Sequence, residues 1–201
     1  MRIIGGTFRG RRLLYHGDPV VRPMKHRTRE SIFNLVSTEC TGMHAIDLFA
    51  GTGALGLEAL SRGAVSATFI EKHVPSGRIV EQNIRTLGVE DRTTLLVTSA
   101  FLWGKRDLTA ATAAQHDGRP WLVFCSPPYV FYRERQAEML DLIQRIQHHA
   151  PGGSVLIVEA DDHFDLELLR SSDPSIDNAS WDIRSYAPAV VGLWRATAIT
   201  A

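Results

Sequence analysis

The sequence contains no apolar run long enough to cross a lipid bilayer. Its long apolar stretches, such as 121–125 and 155–158, hold only four or five residues, whereas a membrane-spanning helix needs about 20. No charged segment followed by an apolar one opens the chain, so a secretory leader is not expected. These absences exclude transmembrane helices and lead us to expect a soluble protein of the cytoplasm.

Cysteines and metal-binding motifs are also scarce. The two cysteines, Cys40 and Cys125, lie far apart and form no CxxC motif, so we interpret them as reduced thiols of the core. The eight histidines show neither HExxH nor HxH spacing. The sequence therefore predicts no metal site.

The net charge of zero conceals an uneven distribution. Residues 1–30 hold eight Lys and Arg against two carboxylates, so the rest of the chain is acidic. A basic segment on an acidic domain is what the phosphate backbone of a nucleic acid attracts, although a solvated face without a partner is an equal alternative. The cations expected to contact phosphates are Arg9, Arg11, Arg12, Arg22, Lys25 and Arg27.

Short apolar runs alternate with helical patterns along most of the chain, which predicts a mostly parallel sheet covered by helices on both faces. The predicted strands are 45–49, 66–70, 93–97, 121–125 and 154–158, followed by an antiparallel pair at 181–186 and 190–196 joined through Pro188. The predicted helices are 28–37, 54–62, 74–87, 105–114 and 133–148. The fold class is thus α/β and Rossmann-like, with seven strands of which the last is antiparallel.

The first residues do not share this alternation. Residues 2–14 read as a β-hairpin with a tight turn at Gly5-Gly6. With 201 residues and 44% hydrophobic side chains, the chain suits one domain. We expect a basic hairpin arm at 1–22 and a Rossmann-like core at 27–201.

A glycine-rich segment directly follows the first predicted strand. Gly51 and Gly53 let the backbone turn sharply against a ligand at the N-terminus of the next helix. The pattern also matches the G-x-G-x-x-G of dinucleotide-binding sites. Asp47, just before the glycines, favours S-adenosylmethionine instead, because a carboxylate repels a pyrophosphate and attracts the donor's ammonium and sulfonium. A purely structural Asp47, capping a turn, is the other alternative.

Two later strand ends supply further candidate ligands. Glu71 ends the second strand, where its two oxygens can accept both hydroxyls of a ribose. Ser99 and Ala100 follow the third strand, near the expected adenine, although any strand end could look like this. Glu71 fits either nucleotide-like ligand.

The segment Ser126-Pro127-Pro128-Tyr129 directly follows the fourth strand. An exocyclic amine on a base is a poor nucleophile, because its lone pair is delocalised into the ring. Acceptors at Ser126 and at the Pro127 carbonyl would hold the amine hydrogens and aim the lone pair at the methyl group. The prolines stiffen the loop and Tyr129 offers a stacking face. In a parallel sheet, this loop and the glycine loop should flank one crevice where the winding reverses.

With these residues in view, the chain resembles the bacterial 16S rRNA guanine-N2 methyltransferase family of the RsmD type, along nearly its whole length. The resemblance is carried by 1–13, 21–23, 27–34 and above all 47–64, which reads DLFAGTGALGLEALSRGA. It implies the class I methyltransferase fold, methyl transfer from S-adenosylmethionine to the N2 of a guanine in small-subunit ribosomal RNA, and a role of the N-terminal hairpin in holding RNA.

The residues expected to bind the donor are Asp47, Phe49, Ala50, Gly51, Thr52, Gly53, Leu55, Glu71, Lys72, Ser99, Ala100 and Ser126. Those expected to act on the amine are Ser126, Pro127, Pro128 and Tyr129. The expected partner is ribosomal RNA or the small ribosomal subunit, and the protein is expected to be a monomer.

Two departures from the family pattern keep other functions open. Met24-Lys25-His26 stands where the family has Thr-Thr-Asp, and Ser126 stands where it has Asp or Asn. Serine accepts hydrogen bonds but carries no charge, so its grip on an amine is weaker. The alternatives are an amino-methyltransferase acting on another base or on DNA, at cytosine N4 or adenine N6, and an RNA-binding relative with weakened catalysis.

Overall fold

The computed structural model of the protein describes residues 1–15, 24, 26–36, 38–109, 118–170 and 181–197. The strands are β1 (His44–Asp47), β2 (Ser66–Ile70), β3 (Thr93–Leu96), β4 (Trp121–Cys125), β5 (Val155–Asp161), β6 (Asp182–Tyr186) and β7 (Ala189–Arg195). The α-helices are α1 (His26–Leu35), α2 (Ala54–Ser61), α3 (Val74–Leu87), α4 (Ala100–Arg106), α5 (Phe131–Glu134) and α6 (Gln136–His149). Within these ranges, no helix has both the length and the apolar character needed to cross a membrane.

The strands of the described ranges form one seven-stranded sheet in the spatial order β3-β2-β1-β4-β5-β7-β6. The chain builds outward from β1 to β3 and then returns to place β4 against the other side of β1. The winding therefore reverses between β1 and β4, and their carboxyl ends flank the crevice where ligands of open α/β sheets bind.

The predicted fold class is confirmed. Five strands pair in parallel, whereas β7 runs antiparallel to both β5 and β6. Pro188 lies in the turn between the last two strands, as predicted. Every residue of β1 and β4 is buried. Burial on both faces is why β4 appears in the sequence as an uninterrupted apolar run, whereas β1 begins with His44 and ends with Asp47.

Two hydrophobic clusters cover the two faces of the sheet. Successive side chains of a strand point to opposite faces, so Ala45 belongs to the cluster beneath α1, α2 and α3, and Ile46 to the one beneath α4 and α6. Cys40 and Cys125 are buried, one in each cluster, and neither is in a disulfide. The sheet is thus buried on both faces, and ligands can reach it at the strand ends.

The described part of the predicted helix at 105–114 is wrong, because residues 107–109 are not helical. The helix in this region is α4, which begins at Ala100 directly after β3 and ends at Arg106. Its buried face consists of Ala100, Phe101, Trp103 and Gly104, so the apolar stripe lies earlier than predicted. The amide of Leu108 bonds back to the Trp103 carbonyl at 3.0 Å and closes the helix. Residues 110–114 lie outside the described ranges.

The N-terminal hairpin is present, but its turn is not the predicted tight turn at Gly5-Gly6. Arg2 and Arg12 form an antiparallel bridge, and the longer loop between them docks on α2. The carboxylate of Glu58 accepts hydrogen bonds from the amides of Ile4 and Gly5, at 2.8 and 2.7 Å. The loop thus bonds to α2 in addition to its own backbone hydrogen bonds, such as that from the Gly10 amide to the Ile3 carbonyl at 2.9 Å.

Gly6 lets this loop lie directly on the helix. Its φ is +74°, and a Cβ there would stand 1.8 Å from the carbonyl oxygen of Ser61. That carbonyl accepts a hydrogen bond from the amide of Thr7 at 2.7 Å. The position therefore requires glycine both for its backbone conformation and for the close approach.

Candidate active site

Asp47 ends β1 and is 1% exposed. Its Oδ2 accepts a hydrogen bond from the amide of Gly56, in the first turn of α2, at 3.1 Å. Burial raises the pKa of Asp47 to about 7, the charge of Glu71 adds to this, and the Gly56 hydrogen bond opposes it. Asp47 therefore caps the helix. Burial also makes its ionised form unfavourable, and a positively charged ligand would stabilise that form.

Glu71 braces the glycine loop from β2. Its Oε2 accepts a hydrogen bond from the amide of Gly51 and its Oε1 one from the amide of His73, both at 2.7 Å. Gly51 has a φ of +56°, which lets its amide point at this carboxylate. Each carboxylate oxygen retains lone-pair capacity after one hydrogen bond, so the bracing is compatible with the predicted role of Glu71 toward a ribose.

A small pocket lies between the glycine loop and the end of β4. Phe49, Ala50, Gly51, Thr52, Leu55 and Ser126, six of the residues predicted to bind the donor, line it, and Met1, Met24, Arg29 and Ala54 complete the lining. The predicted juxtaposition of the two loops at the reversal of winding is therefore confirmed. Gly53, whose φ is +77°, directly precedes α2 and lies between the lining residues Thr52 and Ala54.

Ser126 and Tyr129 both donate hydrogen bonds to one carboxylate, that of Glu159. The Ser126 hydroxyl donates to Oε2 and the Tyr129 hydroxyl to Oε1, the latter at 2.7 Å. Glu159 lies on β5 and is 5% exposed. Its burial raises its pKa, while the two hydroxyl donors oppose that rise.

Sequence reasoning missed Glu159 altogether. Cys125 pairs with Val158 in the sheet, so the residues that follow them, Ser126 and Glu159, lie side by side where both strands reach the crevice. In the sequence, Glu159 directly follows the predicted strand 154–158 and looks like its polar end. Its place at the carboxyl end of a strand, where ligands bind in parallel sheets, was the available signal.

The remaining predicted ligands lie at the ends of neighbouring strands. Lys72 is exposed and follows Glu71 after β2, whereas Ser99 and Ala100 mark the start of α4 after β3. Ala100 is buried and Ser99 is partly exposed. They share the carboxyl edge of the sheet with the pocket but are not part of its lining.

An aromatic cluster that the sequence analysis did not predict borders the same edge. The ring of Phe49 contacts those of Phe101 and Phe131 edge-on, with centroids 5.9 and 6.2 Å apart. The guanidinium of Arg135 lies 3.9 Å above the centroid of Phe101. This cluster ties the glycine loop to α4 and to the helix that follows Tyr129.

The arginines predicted to bind RNA differ in their exposure and in the hydrogen bonds that they already make. Arg9, Arg12 and Arg27 are exposed, as a contact with phosphates requires. Arg11 is exposed too, but its Nη2 donates to the carbonyl oxygen of Thr86 near the end of α3, at 2.6 Å. Arg22 and Lys25 lie outside the described residues.

Within the described ranges, no group of three or more His, Cys, Asp or Glu is arranged to hold a metal ion.

The sheet order and the single antiparallel strand define the class I methyltransferase fold. The solved structure of the Escherichia coli protein yhhF is similar, with a TM-score of 0.74 and 26% identity over 98% of each chain. The structure of an RNA methyltransferase from Salinibacter ruber, solved with S-adenosyl-L-homocysteine, has a TM-score of 0.57 at 14% identity, over 90% of this chain and 97% of that one.

The chain belongs to the family described as conserved hypothetical protein 95, whose model matches residues 1–171. It is 33% identical to YlbH of Bacillus subtilis over 147 residues, which are 73% of this chain and 76% of YlbH. It is 45% identical to the ribosomal RNA small subunit methyltransferase D of Escherichia coli over 87 residues. That match spans 43% of this chain and 44% of the Escherichia coli protein. The resemblance drawn from the sequence is therefore confirmed at the level of the family.

Proposed function

We propose that this protein transfers a methyl group from S-adenosylmethionine to the exocyclic N2 amine of a guanine in small-subunit ribosomal RNA. The observation that carries the proposal is the pocket at the reversal of winding, where Gly51 and Ser126 face the same space. The curated relatives named ribosomal RNA small subunit methyltransferase D support the choice of RNA. The reaction would take place in the cytoplasm, on RNA or on the assembled subunit.

The donor would bind along the carboxyl ends of β1 and β2. Asp47 contributes the negative charge that a cationic donor requires, and Glu71 offers carboxylate oxygens to the ribose hydroxyls. When bound, S-adenosylmethionine supplies the activated methyl group.

The acceptor base would enter from the side of Tyr129, which is partly exposed and can stack on it. Ser126 and the carbonyl oxygen of Pro127 would accept the amine hydrogens and direct the nitrogen lone pair at the methyl group. The exposed cations Arg9, Arg12 and Arg27 would contact the RNA backbone, with a strength that falls as salt rises.

The test measures transfer of labelled methyl from S-adenosylmethionine to small ribosomal subunits prepared from cells that lack this protein. The wild-type protein should label the ribosomal RNA, and Tyr129→Ala should reduce kcat/KM about 100-fold, because the base loses its stacking platform and the loop loses a hydrogen bond. Tyr186→Ala, at the far edge of the sheet, is the matched control and should retain activity.

The alternatives give different results. Labelling of cytosine or adenine, or of DNA in preference to RNA, would replace the proposed substrate while keeping the chemistry. Retention of RNA binding without any transfer would mean that the chain is a binding protein. Equal activity of the Tyr129 and Tyr186 variants would contradict the assignment of the site.

A further inference from the structure

We infer that Glu159 is the positioning residue of the transfer, and that it receives the proton released by the target amine through the hydroxyl of Ser126. The inference rests on the proposed function and deepens it. Its basis is the pair of hydrogen bonds by which Ser126 and Tyr129 both donate to the Glu159 carboxylate. A third contact, from the Tyr132 hydroxyl to the backbone carbonyl of Glu159 at 3.0 Å, fixes the strand at this point.

The direction of the Ser126 hydrogen bond determines what Ser126 can do. A hydroxyl has one hydrogen to donate and two lone pairs to accept with. Because Ser126 gives its hydrogen to Glu159, its lone pairs are left for a donor in the pocket that Ser126 lines. The orientation thus makes Ser126 an acceptor for an amine hydrogen, as the proposed transfer requires.

The carboxylate also compensates for the missing charge at position 126. A hydroxyl that donates to a carboxylate is polarised, and its oxygen becomes a better acceptor. Glu159 therefore supplies from β5 the negative charge that an aspartate would supply at position 126 itself. Serine in place of aspartate or asparagine at position 126 therefore weakens the hydrogen bond to the amine less than the sequence alone indicates.

The proton balance of the step is complete with these groups. The amine nitrogen forms a bond to the methyl carbon while the carbon–sulfur bond breaks, and that electron pair stays on sulfur, which becomes a neutral thioether. The methylated nitrogen then carries an extra proton. It passes to Ser126 Oγ as the Ser126 hydroxyl proton passes to Glu159 Oε2, and Glu159 later returns its proton to solvent through the partly exposed Ser126.

The pH dependence of kcat separates this role from simple packing. Only ionised Glu159 can take the proton, and burial raises its pKa above that of an ordinary carboxyl, so kcat at saturating donor should fall on the acid side. The neighbouring groups are Cys125, Tyr129, Tyr132 and Asp161. The pKa values of the first three are raised, so these groups stay neutral in this range and cannot produce the fall. Asp161 and Asp47, whose pKa is raised to about 7, also carry carboxyls, and loss of the acid-side fall in Glu159→Gln separates Glu159 from both.

The experiment compares Glu159→Gln with the wild type in the methyl-transfer assay. We expect kcat to fall about 100-fold and its acid-side dependence to disappear, while the Kd for S-adenosylhomocysteine stays within about twofold. Ser126→Asn should lower kcat as Glu159→Gln does, because its carbonyl can accept from the amine but its amide cannot pass the released proton to Glu159. Asp162→Asn, an exposed carboxylate in the same region, is the control.

The outcomes are distinct. A Glu159→Gln enzyme with wild-type kcat and an unchanged pH profile overturns the inference and leaves the proposed function intact. Absence of transfer by the wild type overturns the proposed function. In that case a double-mutant cycle of Glu159→Gln and Ser126→Ala on the free energy of unfolding decides whether the two act as a unit, and additive effects overturn the inference.

A different observation points to a second subsite in the same pocket. Arg29 of α1 is 1% exposed and lines the pocket beside Gly51 and Ser126. Its Nη2 donates to the carbonyl oxygen of Arg2 at 2.6 Å. Within the described part of the chain, its Nε and Nη1 are buried without a hydrogen-bond partner.

A buried guanidinium with two unpartnered nitrogens calls for an anion. The protein carboxylate that acts on it electrostatically is Glu58, which is already bound to the amides of Ile4 and Gly5 and to Arg62. We propose that Arg29 binds the carboxylate of the methionine moiety of the donor. A carboxylate can accept from Nε or Nη1 of Arg29 while Nη2 keeps its bond to Arg2, and the donor would bring both a cation for Asp47 and an anion for Arg29.

Calorimetry with S-adenosylmethionine and its decarboxylated analogue tests this second proposal without any transfer. The wild type should bind the carboxylate-bearing compound about 10- to 100-fold more tightly, as expected for a hydrogen bond to a charged group. Arg29→Gln should reduce the preference to within about threefold, Arg29→Lys should keep part of it, and Arg85→Gln, at an exposed arginine of α3, should leave it unchanged. Equal binding of both compounds by the wild type overturns the proposal. If neither compound binds, S-adenosylmethionine is not the donor.

Discussion

Replacing Asp47 with asparagine should stabilise the folded protein at pH 8 by about 2–4 kcal/mol. Burial raises the pKa of Asp47 to about 7, against an ordinary value of 3.8, and each unit of difference corresponds to about 1.4 kcal/mol. Because the folded state holds the proton more tightly than the unfolded state, stability falls as the pH rises from about 4 to about 7 and then levels off. Asparagine removes this cost and can still accept the Gly56 hydrogen bond.

The measurement is urea unfolding at pH 5 and pH 8 without donor. The gain from Asp47→Asn should be large at pH 8 and small at pH 5, and the exposed Asp91→Asn should change neither value by more than about 0.5 kcal/mol. A variant less stable than the wild type at pH 8 would show that Asp47 is a structural cap and nothing more.

The same substitution should weaken the binding of S-adenosylmethionine. A cationic donor offsets the cost of ionised Asp47, so donor binding to the wild type should release a proton and tighten as the pH rises from 6 to 8. Asparagine cannot ionise, and the variant should show neither effect. A side chain that lowers the stability of the fold but improves ligand binding is typical of an active-site residue and not of a core residue.

Replacing Glu58 with alanine should lower the free energy of unfolding by about 3–5 kcal/mol, the range for breaking a buried charge pair by removing one partner. The Glu58 side chain is fully buried, pairs with Arg62 at 2.9 Å and accepts the amides of Ile4 and Gly5. Its removal leaves these donors without a partner. The basic N-terminal loop should then detach from α2.

Glu81→Ala is the matched control, because Glu81 also pairs with an arginine four residues later, Arg85, but both side chains are exposed. Its effect should stay below about 1 kcal/mol, as for surface pairs. Chemical denaturation compares the two variants, and limited proteolysis shows whether cleavage near residues 5–10 becomes faster in Glu58→Ala. Equal losses in both variants would mean that Glu58 does not anchor the loop.

The arrangement of the sheet could be predicted because its signals are local. Fully buried strands such as 121–125 form uninterrupted apolar runs, and their alternation with helices dictates parallel pairing. The position of α4 could not be predicted in the same way, because the apolar stripe of Phe101 and Trp103 immediately follows a strand and blurs the boundary. The docked loop of residues 3–11 escaped prediction because Glu58 holds it from more than 50 positions away.

In the candidate site, too, the features that are local in the sequence could be predicted, and the contacts between distant segments could not. The glycine loop and Ser126-Pro127-Pro128-Tyr129 are contiguous in the sequence, so their residue types could be read directly. Glu159 and Arg29 each act through neighbours that only the folded chain supplies. In the sequence, Glu159 is one of three acids that follow a predicted apolar strand, and Arg29 is one cation among eight in the first 30 residues. Contacts between distant segments therefore account for most of what the sequence did not reveal.

Mass spectrometry of ribosomal nucleosides tests the central claim most directly. Small subunits from cells lacking this protein are incubated with the purified chain and S-adenosylmethionine that carries a deuterated methyl group. The account predicts a single new product, N2-methylguanosine with the labelled methyl, formed by the wild type and strongly reduced with Tyr129→Ala and Glu159→Gln. Label on cytosine or adenine, or no labelled nucleoside with the wild type, would contradict it.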